Sequence, residues 1–315
     1  PTRRGAISAP LYDTPRAVST GPNWAYLRIA EGCDNRCAYC VIPSLRGKFR
    51  SRTKESILEE ARLLAASGVK ELIIVAQDIT RYGIDLYGKV CLTELLKELC
   101  KLDFRWVRLH YLYPELIDDE LIDEIASEDK IVKYLDIPIQ HINDTLLRRM
   151  NRRGTGEEIR ALFKKLRERI PGLVLRTSLI TGLPGEGEAE FEELCDFLRE
   201  AKIERAGVFP YSPEEGTPAA LMPDRCSTEE AQRRAELCME IQAEIMDGFA
   251  ETFIGRELDV LVMGREPDGT PWGRSEYDSP DIDSRVIFSG DAAPGDMVRV
   301  RIDSVDDGEL IGEQI

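Results

Sequence analysis

From residue 24 onward the chain alternates between short apolar runs and longer segments in which apolar positions recur every three or four residues. The short runs AYLRIA (25–30), ELIIVA (71–76), WVRLHY (106–111), YLDIPI (134–139), VLRTSLI (174–180) and RAGVFPY (205–211) read as strands. The segments near 54–67, 92–101, 116–126, 143–150, 156–169 and 187–200 read as helices. Thr155 with Glu158, and Ser227 with Glu230, have the spacing of capping boxes, which satisfy free N–H groups at a helix start. Six strand–helix units in series predict a parallel sheet, because parallel strands need crossover connections, and their ordering suits a partial barrel.

Past these units the text changes. Residues 228–252 read as one long helix leading away from the first domain. After Gly255 come short alternating strands, LDVLVMG, SRVIFSG, MVRVRI and GELIGEQI, separated by the turn signals PDGT, GDAAPGD and DDGE. That pattern predicts a small antiparallel β-barrel. Residues 1–22 are rich in Pro, Gly, Ser and Thr without hydrophobic period and read as a linker. The expected organisation is therefore a linker over 1–22, an α/β domain over 23–252 and a small barrel over 253–315. With no initiator Met, the chain is expected to follow an upstream segment.

Composition narrows the class. With 43% hydrophobic and 32% charged residues among 315, the chain is an ordinary globular protein. No apolar run reaches the roughly 20 residues that span a bilayer, and no signal peptide opens it. The cytoplasm is the expected location, with no membrane partner. There the eight cysteines stay reduced and do not form a disulfide framework. A net charge of −16 disfavours nucleic acid as the direct substrate, since phosphate binding needs clustered Lys and Arg.

The chemistry lies in EGCDNRCAYC, just after the first strand, where Cys33, Cys37 and Cys40 are spaced C-x3-C-x2-C. Thiolates suit zinc or iron–sulfur clusters, and a purely structural site normally uses four protein ligands. Three cysteines on an iron cubane leave one iron open to a cofactor or substrate. A zinc site would need a remote cysteine or one of the only two histidines, His110 and His141; unconnected thiols are the other reading. Loops after nearly every strand also carry polar groups: AQDITRYG (76–83), YLYPE (111–115), IQHIND (139–144), TGLPGE (181–186) and YSPEEGTPAA (211–220). In parallel α/β barrels those strand ends build the active site.

The loop C-x3-C-x-aromatic-C, with Tyr39 before the last cysteine, resembles the signature of the radical S-adenosylmethionine superfamily. The resemblance implies a partial (β/α)6 TIM-like barrel holding a 4Fe-4S cluster on Cys33, Cys37 and Cys40. It implies S-adenosylmethionine chelated by the open iron and cleaved reductively to a deoxyadenosyl radical. The longer stretches YLRIAEGCDNRCAYCVIPSLRGKFRSR, IPIQHINDTLLRRMNRRG, RTSLITGLPGE and FPYSPEEGTPA resemble the methylthiotransferase family over residues 24–315. The C-terminal barrel then resembles that family's TRAM domain. By this resemblance Gln77 and Asp78 lie where the family supports the methionyl amino group. Gln140, Arg176 and Ser178 lie on strands that contact ribose and carboxylate, Arg176 having the fork suited to a carboxylate; Tyr39 completes the cofactor set.

Within the family, GCDNRCAYCVIPSLRGKFRSR and GRSEYDSPDID look like the RimO branch, which methylthiolates the β-carbon of an aspartate in ribosomal protein S-twelve, rather than the transfer-RNA branch, MiaB. Charge agrees: from Gly255 to Ile315 there are six Arg, no Lys and fifteen Asp plus Glu. An RNA-gripping domain should be basic; an acidic one suits a basic ribosomal protein. The alternatives are a transfer-RNA methylthiotransferase and a non-catalytic, metal-stabilised binding module. The resemblance also implies an electron donor such as flavodoxin or ferredoxin, and a second 4Fe-4S cluster in an N-terminal domain outside this sequence. Cys91, Cys100, Cys195, Cys226 and Cys238 show no close triplet and are expected to pack as small hydrophobes. The chain alone is expected to bind one cluster and cleave S-adenosylmethionine without completing methylthiolation.

Overall fold

The structure, a computed structural model, describes residues 18–21 and 23–315. Most of the stretch read as a linker, 1–17 and 22, lies outside the described residues. Six parallel strands form one sheet in chain order: β1 (Trp24–Arg28), β2 (Glu71–Val75), β3 (Trp106–Leu109), β4 (Ile131–Asp136), β5 (Val174–Thr181) and β6 (Arg205–Pro210). Alternation along each strand sorts the side chains. Ala25, Leu27, Leu72, Ile74, Val107, Leu109, Leu135 and Leu175 are fully buried against the surrounding helices. Fully burying an aliphatic side chain is worth roughly 2 kcal/mol, so a one-residue slip, which reverses every side chain, is strongly disfavoured. The opposite, inner face carries Tyr26, Glu71, Arg108, Tyr134, Asp136, Arg176, Ser178 and Arg205, a polar lining that marks the working side of the sheet.

Helix boundaries follow local chemistry. Thr53, Asp118 and Asn143 each accept backbone N–H groups at their helix starts. Thr155 and Glu158 form the reciprocal capping box expected of them. Ser227 accepts from the Glu230 N–H, but the Glu230 carboxylate turns to Arg233 and Arg234 instead of closing a box. The guanidinium partners bring full positive charge and, from Arg233, a bidentate fork, both of which the backbone donor lacks. The long helix Thr228–Glu251 does not lead away from the first domain. It packs along β6 and the helix Glu188–Ala201, with Gln242 donating to Ile203 O at 2.9 Å and Cys238 lying 3.9 Å from Cys195.

The C-terminal barrel is closed by five strands: β7 (Glu257–Arg265), β8 (Pro271–Ser275), β9 (Val286–Ser289), β10 (Met297–Asp306) and β11 (Glu309–Gln314), in the order β8-β9-β11-β10-β7. The expected antiparallel arrangement holds for four pairings, and the exception is β9 with β11, which run parallel. The barrel packs on the lower ends of the parallel strands, where Leu261 and Met297 meet Trp106, Val132 and Val174. At that junction Glu71, fully buried, accepts from Arg108 and Arg274 at 2.6 Å each. Burial pushes the Glu71 carboxyl up, but the two guanidinium groups outweigh it and hold the carboxyl below its ordinary range. Removing one cation from such a triad leaves an uncompensated buried charge, so the two domains are electrostatically locked.

Candidate functional site

The cysteine loop leaves β1 and is tied down at every turn. Cys33 N–H donates to Gly47 O at 3.1 Å, Cys40 N–H to Cys37 O at 3.0 Å and Phe49 N–H to the Asp34 carboxylate at 3.2 Å. Gly32 has φ +83°, and a Cβ there would stand 2.2 Å from Lys48 O, so only glycine lets the loop close on its return strand. Segments distant in sequence pin it from above: Ala38 N–H donates to Met150 O at 2.8 Å, Ala219 N–H to Ala38 O at 2.9 Å and Asn151 to Arg36 O at 2.8 Å.

Cys33 and Cys37 are buried and Cys40 is half-buried; all three are free thiols. Burial, with smaller contributions from charge on Asp78, Cys37 and Cys40, pushes the Cys33 thiol up to about 11. Cys40 is raised by burial and again by Cys37. The Cys33 and Cys40 thiols therefore both sense Cys37, and both sit above the ordinary thiol value. Among the described residues, no set of three or more His, Cys, Asp and Glu side chains converges into a closed metal-holding group. The donor chemistry nevertheless fits a soft metal centre. The Cys37 sulfur lies 3.8 Å from both Arg152 Nη1 and Tyr113 Oη, groups that stabilise an anionic sulfur. A cavity of about 220 Å³ opens beside it, lined by Asn35, Cys37, Tyr113, Glu115, Asn151 and Arg152.

Gln77 and Asp78 face this loop. Gln77 Oε1 accepts from Gly32 N–H at 2.7 Å, and the buried Asp78 accepts from Asn35 at 3.0 Å and from Thr80. Burial raises the Asp78 carboxyl above its ordinary value, against the pull of those hydrogen bonds. Arg176 and Ser178 sit on the inner face of β5, and Arg176 pairs at 3.0 Å with Asp136 on the neighbouring strand. Gln140 has φ 73°, and its backbone bridges to β5, donating to Ser178 O and accepting from Ile180. Tyr39 packs with Ala38, Met150, Leu183 and Tyr211. Cys91, Cys100, Cys195 and Cys238 are buried and Cys226 is half-buried, away from the loop and mostly in the helical layer.

Sequence reasoning missed Arg152 and Tyr113. The Arg152 guanidinium is buried, stacks 4.6 Å over the Tyr113 ring and donates to Pro138 O at 2.5 Å as well as approaching Cys37. The double arginine in MNRRG was a visible signal, but nothing local shows that the first of the pair turns inward.

Two family profiles match the chain: the Radical SAM superfamily over residues 27–198 and the TRAM domain over 254–315. Among solved structures, the chain resembles coproporphyrinogen III oxidase (HemN) from Escherichia coli, a radical SAM enzyme, with TM-score 0.53 and 20% identity over 71% of this chain and 52% of that one. It also resembles the radical S-adenosylmethionine methyltransferase TsrM from Kitasatospora setae, with TM-score 0.52 and 20% identity over 62% of this chain and 38% of that one. At that identity the likeness is one of fold. The fold and loop define a radical S-adenosylmethionine enzyme with a TRAM domain, a class that works with a 4Fe-4S cluster and S-adenosylmethionine.

The chain is 49% identical to the ribosomal protein uS12 methylthiotransferase RimO of Caldanaerobacter subterraneus subsp. tengcongensis, over 95% of this chain and 69% of that one. It is 52% identical to the same enzyme of Pelotomaculum thermopropionicum, over 96% of this chain and 69% of that one. The chain belongs to the RimO family of methylthiotransferases, which are transferases. Among the described residues no helix is long and apolar enough to cross a membrane.

Proposed function

We propose that this chain carries the radical chemistry of a methylthiotransferase acting on the β-carbon of an aspartate in ribosomal protein uS12 (S-twelve), in the cytoplasm. The observation that carries the reading is the pinned loop bearing Cys33, Cys37 and Cys40, in a chain about half identical to uS12 methylthiotransferases. Those three thiols would hold a 4Fe-4S cluster, leaving one iron without a protein ligand. When bound, that cluster supplies the electron for cleavage of S-adenosylmethionine at its open iron.

The remaining work belongs to the protein. Gln77 and Asp78 fix the loop against β2 through Gly32 and Asn35. Arg152 and Tyr113, each 3.8 Å from the Cys37 sulfur, stabilise its charge. Arg176, already oriented by Asp136, offers the free side of its fork to the methionyl carboxylate, while Ser178, Gln140 and Tyr39 line the same end of the sheet. The acidic barrel receives a basic protein, and a flavodoxin or ferredoxin delivers the electron.

Binding separates this reading from the transfer-RNA alternative. The reconstituted chain should bind purified uS12 and not transfer RNA at physiological salt; binding of transfer RNA alone would overturn the reading.

A further inference from the structure

Residues 276–285, between β8 and β9, leave the small barrel and cross the inner face of the parallel sheet as a strap. Asp278 accepts at 2.8 Å from Arg205, which pairs in register across the sheet with Arg176 and, through it, with Asp136. Tyr134, two residues before Asp136 on β4, donates to Asp283 at 2.7 Å. Ser279 Oγ then lies 3.1 Å from Nε2 of His110, which follows the end of β3. Trp106 to His110 is roughly 13 Å of strand, so the strap reaches toward the edge that carries the cysteine loop.

The strap turns back on itself there. Ser279 N–H donates to the Asp283 carboxylate at 2.8 Å, and Asp283 N–H donates to Ser279 O at 3.3 Å. Asp278 and Ser279 are buried, yet the tip is open: Asp281 is exposed and Ile282 is 53% exposed. Asp278 and Asp283 are both paired with Arg205, whereas among the described residues Asp281 has no ion-pair partner. The phenol of Tyr26, on the inner face of β1, is pushed up first by burial and next by the Asp281 charge. Buried polar anchors cost desolvation that only good pairing offsets, and a turn serving solubility alone needs none of them.

We infer that Asp281 and Ile282 are specificity-determining contacts with the polypeptide substrate: Asp281 pairs with a Lys or Arg side chain flanking the reacting residue, and Ile282 packs on its aliphatic stem. The inference rests on the reading that the substrate is a basic ribosomal protein. It also gives GRSEYDSPDID a physical role, as the segment that carries a docking domain into the reaction chamber.

The test is the affinity of purified uS12 for the reconstituted chain and three variants, Asp281→Asn, Ile282→Ala and Asp307→Asn. Asp307, in the hairpin turn between β10 and β11, is likewise exposed and, like Asp281, has positive φ, so it controls for loss of one negative charge. Asp281→Asn and Ile282→Ala should each weaken binding roughly five- to tenfold, Asp307→Asn by less than about twofold, with cleavage of S-adenosylmethionine in the absence of uS12 unchanged in all. Wild-type affinity in both tip variants, with unchanged melting temperatures, would overturn the inference while leaving the proposed function standing. Failure of the unmodified chain to bind uS12 would overturn both.

Discussion

The backbone N–H of Gly32 donates to Oε1 of Gln77 at 2.7 Å, so the end of β2 holds the first turn of the cysteine loop. A buried hydrogen bond whose loss leaves a donor unsatisfied costs about 1–3 kcal/mol. Gln77→Ala should therefore fold but hold iron about tenfold more weakly, read as iron per chain after a chelator challenge, whereas Gln77→Glu, which keeps the acceptor, should retain most of it. Iron retention in Gln77→Ala equal to the parent's would remove Gln77 from the loop's support.

Arg152 places a permanent positive charge 3.8 Å from the Cys37 sulfur. Hydrogen bonds and charge near cluster sulfurs set reduction potential. Arg152→Met should shift the potential of the reconstituted cluster negative by about 60 mV, a tenfold change in a one-electron equilibrium, with Arg152→Lys in between. Redox titration followed by electron paramagnetic resonance measures it, and an unshifted potential in Arg152→Met would contradict the assignment.

His110, buried behind the strap, is pushed down to about 3 by burial first and then by Arg108 and Arg176. It stays neutral in the folded chain, whereas an unfolded histidine titrates near 6.5. Between those values only the unfolded state takes the proton, so stability is full above about pH 6.5 and falls as pH drops toward 3. His110→Asn should lessen the acid-side slope by up to about 1.4 kcal/mol per pH unit, measured as urea unfolding free energy between pH 7 and pH 4.5. Identical slopes would show that His110 does not titrate as placed.

What was legible in the sequence was local. Apolar runs located the six parallel strands, the fourth three residues late, since YLDIPI (134–139) stands for Ile131–Asp136, and the spacing of Cys33, Cys37 and Cys40 marked the loop after the first strand. What was hidden depends on partners far away in the chain. Arg152 meets a sulfur 115 positions earlier, and Arg274 meets Glu71 across 203 positions. The strand Pro271–Ser275 escaped notice because Pro, Trp, Gly, Arg and Ser show no alternation, its arginine being buried only because Glu71 awaits it. The course of the long helix was invisible for the same reason: its burial of Cys238 and Gln242 is decided by β6 and the preceding helix, not by its own period.

The central claim is that Cys33, Cys37 and Cys40 together hold one redox-active cluster that cleaves S-adenosylmethionine. Anaerobic reconstitution of the chain and of Cys37→Ala, with iron and sulfide counted and 5′-deoxyadenosine quantified after reduction with dithionite, tests it most directly. The account predicts about four irons and four sulfides per chain with deoxyadenosine formed, and loss of both signals in the variant. Zinc in place of iron, or deoxyadenosine formed equally by Cys37→Ala, would contradict it.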